Sequence, residues 1–315
     1  MNILRFEGKG FDLFKIRLVK FITTILTLGL LYPWGKVREL RYLYANTSFE
    51  DKRLSFKGTF GEYFKGFFQT WLLLVLITFI CTAGIYYSIS HSETILGETL
   101  YIISYLFLYI TVIIVESSAY HGRFQYRFGN IGWDTTGFKF TGKASEFLQM
   151  NLGGIVLSSL TLGIYTPWYV MKFFRYVLQN TRFGNISFDF TGDSKAFFRI
   201  YIKGYLLSII TLGIYGIWFA KQIYDYIVSN IVVKKNDQEM NLMTDENQLE
   251  VFELLVGNVI LTVFTLGIGY SWAKTRLMRF LANHSIVPEG LNPENEALEQ
   301  ETAIQPKRPF FRPLI

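Results

Sequence analysis

Apolar residues fall into long blocks along the chain, and four of these blocks end in the same short phrase. The phrase Thr-Leu-Gly spans 27–29, 161–163, 211–213 and 265–267. Its glycines are Gly29, Gly163, Gly213 and Gly267, and a tryptophan follows each at a fixed distance: Trp34, Trp168, Trp218 and Trp272. Glycine suits the C′ position of a helix, and Pro33 and Pro167 suit the first turn of a new one. The pattern predicts helix, bend and helix; the alternative is one kinked helix.

The blocks belong to a longer repeat. Residues 6–58 match residues 140–192 at a constant offset of 134, without a gap. Similarity at a fixed spacing indicates duplicated structural units. The predicted units are residues 4–53, 54–137, 138–187, 188–235 and 246–285, which together form a membrane domain over 1–285.

Four units begin with alternating apolar residues closed by glycine. These tags lie at 4–8, 54–58, 138–142 and 188–192. Period-two alternation with aromatic residues predicts short strands. Since single strands are rarely stable alone, the tags are expected to pair into a small sheet.

The second unit contains two longer apolar spans, residues 71–89 and 99–117. About twenty apolar residues suffice to cross ~30 Å of hydrocarbon. The connection between the spans lacks Lys and Arg, whereas basic residues flank every unit. The positive-inside rule therefore favours units that return to the cytoplasm, with both termini and all strand tags on that side.

The predicted fold is an all-α membrane protein of repeated transmembrane or re-entrant helical hairpins, with short cytoplasmic β-strand segments between repeats. Outside the second unit the second helices carry cations, which are costly within lipid. Either those hairpins are shallow or the cations face protein; the sequence leaves both open. Residues 231–249 are predicted to form a polar loop, and 286–315 a disordered polar tail.

Composition supports the membrane assignment. Half of the residues are hydrophobic and 18% are charged, against roughly 25% charged in soluble domains. The net charge of +6 comes from cations beside apolar segments, which favours lipid over nucleic acid as partner. One cysteine, Cys81, permits no disulfide framework or zinc site. We expect no cofactor, no metal and no enzymatic activity; oligomeric state stays open.

Repeated polar residues are the candidate binding site. Arg41, Arg175 and Arg279 occupy equivalent positions in three units. They are predicted either to bind an anion or lipid headgroup, together with Lys172, or to snorkel and anchor helices at the interface. Glu116, five residues before His121, is either a proton-relay acid or a boundary residue.

The four tryptophans after the bends have two interpretations as well. They are predicted to be interfacial anchors, and the alternative is an aromatic wall on which a substrate stacks.

The repeated phrase Thr-Leu-Gly, Pro-Trp, Arg-Tyr, Asn-Thr and Phe-x-Phe-x-Gly resembles the YjgN-like family of bacterial inner-membrane proteins. The resemblance covers about residues 1–285. The fourth unit departs from it, with Gly216-Ile217-Trp218 for Pro-Trp and Asp225 for arginine. The resemblance implies a multipass protein of the bacterial inner membrane and supplies no catalytic residues.

Two functions remain in competition. Duplicated helical units with bends predict a transporter or channel-like protein for an anionic or amphipathic solute. The alternative is a non-transporting scaffold that organises lipids or partner proteins.

Overall fold

The computed structural model describes residues 2–90, 94–235, 238–241, 243–244 and 248–287, and most of these are helical. The helices are α1 Gly10–Leu26, α2 Tyr32–Ala45, α3 Phe60–Ser90, α4 Ile95–Gly129, α5 Ala144–Leu160, α6 Thr166–Gln179, α7 Ser194–Ile210, α8 Gly216–Ser229, α9 Gln248–Phe264 and α10 Tyr270–His284. The strands are β1 Asn2–Phe6, β2 Thr47–Phe49, β3 Lys52–Phe56, β4 Ile131–Trp133, β5 Thr136–Phe140, β6 Thr181–Phe183, β7 Ile186–Phe190, β8 Ile231–Lys235, β9 Gln238–Asn241, β10 Met243–Thr244 and β11 Ser285–Val287.

The helices fold back in successive pairs, and four of the five described pairs are closed at the base by a tyrosine and an asparagine. In the first hairpin the Tyr42 hydroxyl accepts from the Lys9 amide at 2.7 Å, and Asn46 Nδ2 donates to the Tyr42 carbonyl at 2.8 Å. The same Tyr-x-x-x-Asn spacing closes the hairpins that end at Asn130, Asn180 and Asn230. Each Thr-Leu-Gly phrase lies between the end of one helix and the start of the next, so the prediction of helix, bend and helix is confirmed.

The bends differ from the prediction in one detail. Leucine, not glycine, takes the first left-handed position: Leu28 has φ of 49° and Gly29 has φ of 93°. The Thr27 hydroxyl accepts from the Leu31 amide at 3.0 Å and stabilises this geometry, although a non-glycine residue there costs about 1 kcal/mol. Leu28 is 84% exposed. The corresponding leucines are exposed too, so each bend presents an apolar tip: Leu162, Leu212 and Leu266.

One hairpin is much longer than the others. Helices α3 and α4 have 31 and 35 residues, or about 46 and 52 Å at 1.5 Å per residue. Helix α1 has 17 residues, or about 25 Å. Both long helices are apolar enough to cross a membrane, and only 11% of the most apolar window of each is buried. Apolar surface of this extent is not stable in water, so the chain is a membrane protein.

The strands form one antiparallel sheet in the order β10-β11-β1-β2-β3-β4-β5-β6-β7-β8-β9. Strands lie at all four predicted tags, and short additional strands follow the hairpins. Side chains from β1 to β9 meet in one hydrophobic cluster, so the sheet curls around a filled interior. Its members include Leu4, Phe49, Leu54, Trp133, Phe138, Phe183, Ile186, Val233 and Met240.

Two predicted segments are corrected by the sheet. The predicted polar loop at 231–249 contains β8, β9 and β10. In β8, Val232 and Val233 are β-branched and bury their side chains, which favours a strand. Ile286 and Val287, predicted to belong to the tail, lie in β11, which pairs with β1. The rest of that tail, 288–315, lies outside the described residues.

The hairpins follow the order of the strands and form a ring. Each hairpin packs against the next, and α10 packs against both α1 and β1. The last hairpin is therefore a neighbour of the first. Side chains from α1, α2 and α10 meet at this junction.

Candidate functional site

The three repeated arginines each bind the carbonyl of a tag glycine that begins the next hairpin. Arg41 Nη2 donates to the Gly58 carbonyl at 2.8 Å. Arg175 Nη2 donates to that of Gly192 at 3.1 Å. Arg279 Nη2 donates to that of Gly8, also at 3.1 Å, and so connects the last hairpin to the first.

The fourth tag glycine has a different partner. His121 Nε2 lies 2.8 Å from the Gly142 carbonyl, at the junction between the second and third hairpins. In the fourth hairpin, Asp225 stands where the arginine would be and pairs with Lys221 in the same helix. We call the four glycine contacts the hairpin clasps. They favour the structural interpretation of the arginines over a shared anion site, because each arginine lies at a separate junction.

Three of the four tryptophans also pack between hairpins. Trp168 packs on Phe198, Trp218 on Phe252 and Trp272 on Phe14, with ring centroids 5.0, 4.8 and 5.3 Å apart. Trp34 instead lies under Arg38, whose Cζ is 4.6 Å from the centroid of the tryptophan ring. The other three tryptophans each connect one hairpin to the first helix of the next.

The remaining sequence candidates are not brought together. Glu116 pairs with Arg123 at 2.9 Å, and both side chains are about half-exposed. His121 faces a backbone carbonyl, so the predicted relay from Glu116 to His121 gains no support. Lys172 Nζ lies 3.2 Å from the Tyr165 hydroxyl.

The most unusual polar cluster surrounds Glu39 of α2, whose side chain is 1% exposed. Arg17 of α1 donates to Oε1 from Nη2 at 2.7 Å and from Nε at 3.1 Å. Lys20 of α1 donates to Oε2 at 2.6 Å, and Lys274 of α10 to Oε1 at 3.2 Å. Lys36 Nζ lies 3.9 Å from Oε2. One carboxylate thus faces four cations, and we call this group the Glu39 cluster.

The cations of the Glu39 cluster are not fully enclosed. Their side chains keep between 17% and 28% of their exposure, Lys36 the most. The cluster also has aromatic walls: the Arg17 guanidinium lies 4.5 Å from the ring centroid of Tyr270, and Lys20 Nζ lies 5.7 Å from that of Tyr32.

The electrostatics of the cluster are unbalanced. Burial raises the pKa of Glu39, but Lys36, Lys20 and Arg17 outweigh it and hold that pKa far below its usual range. Burial lowers the pKa of Lys36 to about 8. The positive charges of Lys274, Lys20 and Arg127 also lower this pKa, whereas the negative charge of Glu39 raises it. The carboxylate is therefore ionised, and its one negative charge leaves the cations in excess.

Local packing explains how the chain fits a lysine here. A Cβ at Gly35 would lie 2.2 Å from Lys20 Cγ, so glycine on α2 makes room for the lysine stem. In the hairpin α5–α6 the arrangement is reversed, with Gly154 on the first helix opposite the ring of Tyr169 on the second. Helices α7 and α8 repeat this with Gly204 and Phe219.

Sequence reasoning missed Glu39 although the repeat contained the signal. At the offset of 134 Glu39 aligns with Phe173, and Lys20 with Gly154. The candidate arginines are residues that three units share. The Glu39 cluster lies at positions where the first unit departs from the others.

Comparison with known proteins gives a family for the chain. The model of a family described as bacterial protein of unknown function (DUF898) matches residues 2–197 and 185–239. The inner membrane protein YjgN of Salmonella typhimurium is 37% identical over 100 residues, 32% of this chain and 23% of that protein. YjgN of Escherichia coli K12 is 37% identical over 75 residues, 23% of this chain and 19% of that protein.

The chain thus matches less than a quarter of the length of these curated relatives. The resemblance to the YjgN-like family is confirmed. No solved structure matches the chain.

Proposed function

The chain belongs to this DUF898 family, and from that premise we propose that it is a non-transporting inner-membrane scaffold that organises lipids. One long hairpin spans the bilayer, and the short hairpins enter only one leaflet. The inner-membrane names of the relatives support the location. The proposal assigns no catalytic reaction to the chain.

The difference in hairpin depth is the observation that carries the proposal. Helices α1 and α3 both begin two residues after a tag glycine, Gly8 or Gly58. The long apolar span of α3 begins at Trp71. Counted from the tag glycines, Lys20 of α1 is level with Thr70, the residue before that span. The bend at Thr27 therefore lies about 10 Å beyond the level of Lys20, which is about a third of the ~30 Å hydrocarbon layer.

The apolar tips support the same depth. Leu28, Leu162, Leu212 and Leu266 extend from the bends, and all four are more than four-fifths exposed. Leucine at such a tip gains about 1.5–3 kcal/mol when apolar surroundings replace water. Re-entrant hairpins that reach about two-thirds of the way into a leaflet displace lipid from that leaflet alone.

Charge supports the orientation. The basic residues lie near the hairpin bases and the sheet. The far end of the long hairpin has no comparable cations among its described residues. The positive-inside rule then assigns the sheet and both termini to the cytoplasm. The matching bends, base contacts and hairpin clasps support an origin of the hairpins by duplication.

Cysteine accessibility tests the depth. Leu30→Cys, Thr166→Cys and Gly216→Cys, each with Cys81 replaced, are treated in intact cells with a membrane-impermeant maleimide. Ser90→Cys at the end of α3 is the positive control. We expect labelling of the control and none at the three bends; labelling of the bends from the periplasm would overturn the re-entrant arrangement.

Reporter fusions test the orientation separately. Reporters placed after Asn46 and after Asn180 are expected to be cytoplasmic. Opposite compartments for the two fusions would show that the first hairpins cross the membrane.

A transporter for an anionic or amphipathic solute is the second candidate, and the Glu39 cluster is the observation in its favour. The short hairpins and the aromatic-filled sheet speak against a continuous path. Anion flux into proteoliposomes decides between the two. If flux exceeds that of protein-free vesicles and is lost in Lys36→Gln, the chain is a transporter and the scaffold proposal fails.

A further inference from the structure

We propose that the Glu39 cluster binds a phosphate group, with the phosphate of an anionic lipid as the source that its depth favours. This inference names the lipid class that the proposed scaffold would hold, and its depth argument rests on that proposed function. The binding residues are Arg17, Lys20, Lys36 and Lys274.

The cations of the Glu39 cluster have unused hydrogen-bonding capacity. Each lysine ammonium carries three donors, and arginine carries five. Lys20 and Lys274 each give one hydrogen bond to Glu39, and Lys36 is too distant for a good one at 3.9 Å. The partial exposure of these side chains leaves the remaining donors open to a ligand. A phosphate with several acceptor oxygens suits such a set.

Glu39 holds the cations of the cluster in place. A buried carboxylate that takes contacts from Arg17, Lys20 and Lys274 fixes their positions around it. One negative charge cannot offset the mutual repulsion of four cations, and a bound anion would reduce that repulsion. Glu39 therefore acts as a positioning residue, and the cations act on the ligand.

The equivalent hairpins fill this space differently. Tyr169 and Phe219 fill the corresponding space in α5–α6 and α7–α8 with rings packed on glycine. An apolar solution therefore exists for this backbone. Replacement of a buried ion network by apolar residues is often neutral or stabilising, so stability does not explain the charges in the first hairpin.

The Glu39 cluster lies at the depth of the lipid headgroups. Lys20 is level with the start of the apolar span of α3, where lipid phosphates lie next to the hydrocarbon. Arg17 is one turn closer to the sheet. A lipid headgroup in this leaflet lies at the same level.

Thermal stability with added ligand tests the site. The full chain in a neutral detergent is titrated with inorganic phosphate, phosphatidylglycerol or phosphatidylcholine, whose choline neutralises its phosphate. A ligand that binds only the folded state raises Tm with concentration. We expect phosphatidylglycerol to raise Tm and phosphatidylcholine to have little effect. A comparable rise with inorganic phosphate would keep the site and assign it to free phosphate.

Variants link the effect to the Glu39 cluster. Lys36→Gln and, as a second variant, Lys274→Gln are expected to need about tenfold more ligand for the same rise in Tm. Lys172→Gln, which removes a cation from another hairpin, is the control and should behave as the unmodified chain. An equal loss in the control, no loss in either cluster variant, or no rise in Tm with either phosphatidylglycerol or phosphate would overturn the inference.

The depth experiment separates the two proposals. If the bends are labelled from the periplasm while phosphate binding persists, the scaffold proposal fails and the site stands. If the bends are protected and no ligand acts on the Glu39 cluster, the site fails alone.

Discussion

Hairpins α1–α2 and α5–α6 share a backbone plan but use different interiors. Both close at the base through a tyrosine and an asparagine, and both bend at Thr-Leu-Gly. In α5–α6 the Tyr169 ring fills the space beside Gly154, and its hydroxyl donates to buried Asn151 at 2.9 Å. In α1–α2 the corresponding space holds Lys20 and Glu39.

The difference separates what the fold requires from what it permits. The base contacts, bends and hairpin clasps are common to both hairpins and involve backbone atoms, so they define the architecture. The interior side chains vary without altering the bend. Charged residues in one such interior therefore point to a role beyond folding, and substitutions can test how far the two interiors differ.

Glu39→Gln is expected to produce the largest effect. The amide cannot offset the charges of Arg17, Lys20 and Lys274, and loss of one partner from a buried ion network costs about 3 kcal/mol. Unfolding by denaturant in detergent measures the change. Glu116→Gln is the control, because its carboxylate is exposed and should contribute less than about 1 kcal/mol. Equal losses in the free energy of unfolding would show that Glu39 contributes no more to stability than the exposed Glu116.

The sequence predicts the shared features of the two hairpins well. Thr-Leu-Gly marks the bends, period-two aromatic tags mark four strands, and the spans at 71–89 and 99–117 lie within α3 and α4. Each of these signals is local, because glycine, proline and apolar periodicity act on neighbouring residues. Leu28 is a small exception: backbone hydrogen bonds of the finished bend, not local preference, set its positive φ.

The features that depend on distant partners could not be predicted from spacing. Strand β8 contains Lys234 and Lys235, and its pairing with β7 outweighs their polarity. The Arg279 contact with Gly8 joins residues from opposite ends of the chain. Lys274 reaches Glu39 only because the ring brings α10 beside α1. None of these contacts has a signature within one unit.

A pair of adjacent glycines tests the packed interior of α5–α6. A Cβ at Gly154 would lie 2.1 Å from the Tyr169 ring, whereas a Cβ at Gly153 meets nothing within 4 Å. We expect Gly154→Ala to lower the free energy of unfolding by about 2 kcal/mol through overpacking. Gly153→Ala should raise it by up to about 1 kcal/mol, since alanine favours helix. The same denaturant measurement would contradict this packing if both variants gained stability.

The hairpin clasps test the feature that the two hairpins share. Arg41→Gln and Arg175→Gln each remove a charged hydrogen bond to a glycine carbonyl, worth about 1.5 kcal/mol. Because the clasps are alike, the two losses should be similar and independent of added phosphate. A phosphate-dependent Tm that disappears in either variant would instead return the anion site to these arginines.

The smallest expected effect is a pH dependence confined to the first hairpin, since Val170 occupies the position in α6 that Lys36 occupies in α2. The pKa of Lys36 is about 8 in the folded chain against an ordinary value of 10.5. Between these values the unfolded chain binds more protons, so stability rises with pH. Because Lys36 is partly exposed, its share of the rise is about 1 kcal/mol, and Lys36→Gln should lose it in denaturant unfolding at pH 7.5 and 10. Bound phosphatidylglycerol should also flatten this slope, because an anion beside Lys36 favours its charged form. An unchanged slope in Lys36→Gln would mean that Glu39 already neutralises its surroundings, and the charged interior would then need no ligand.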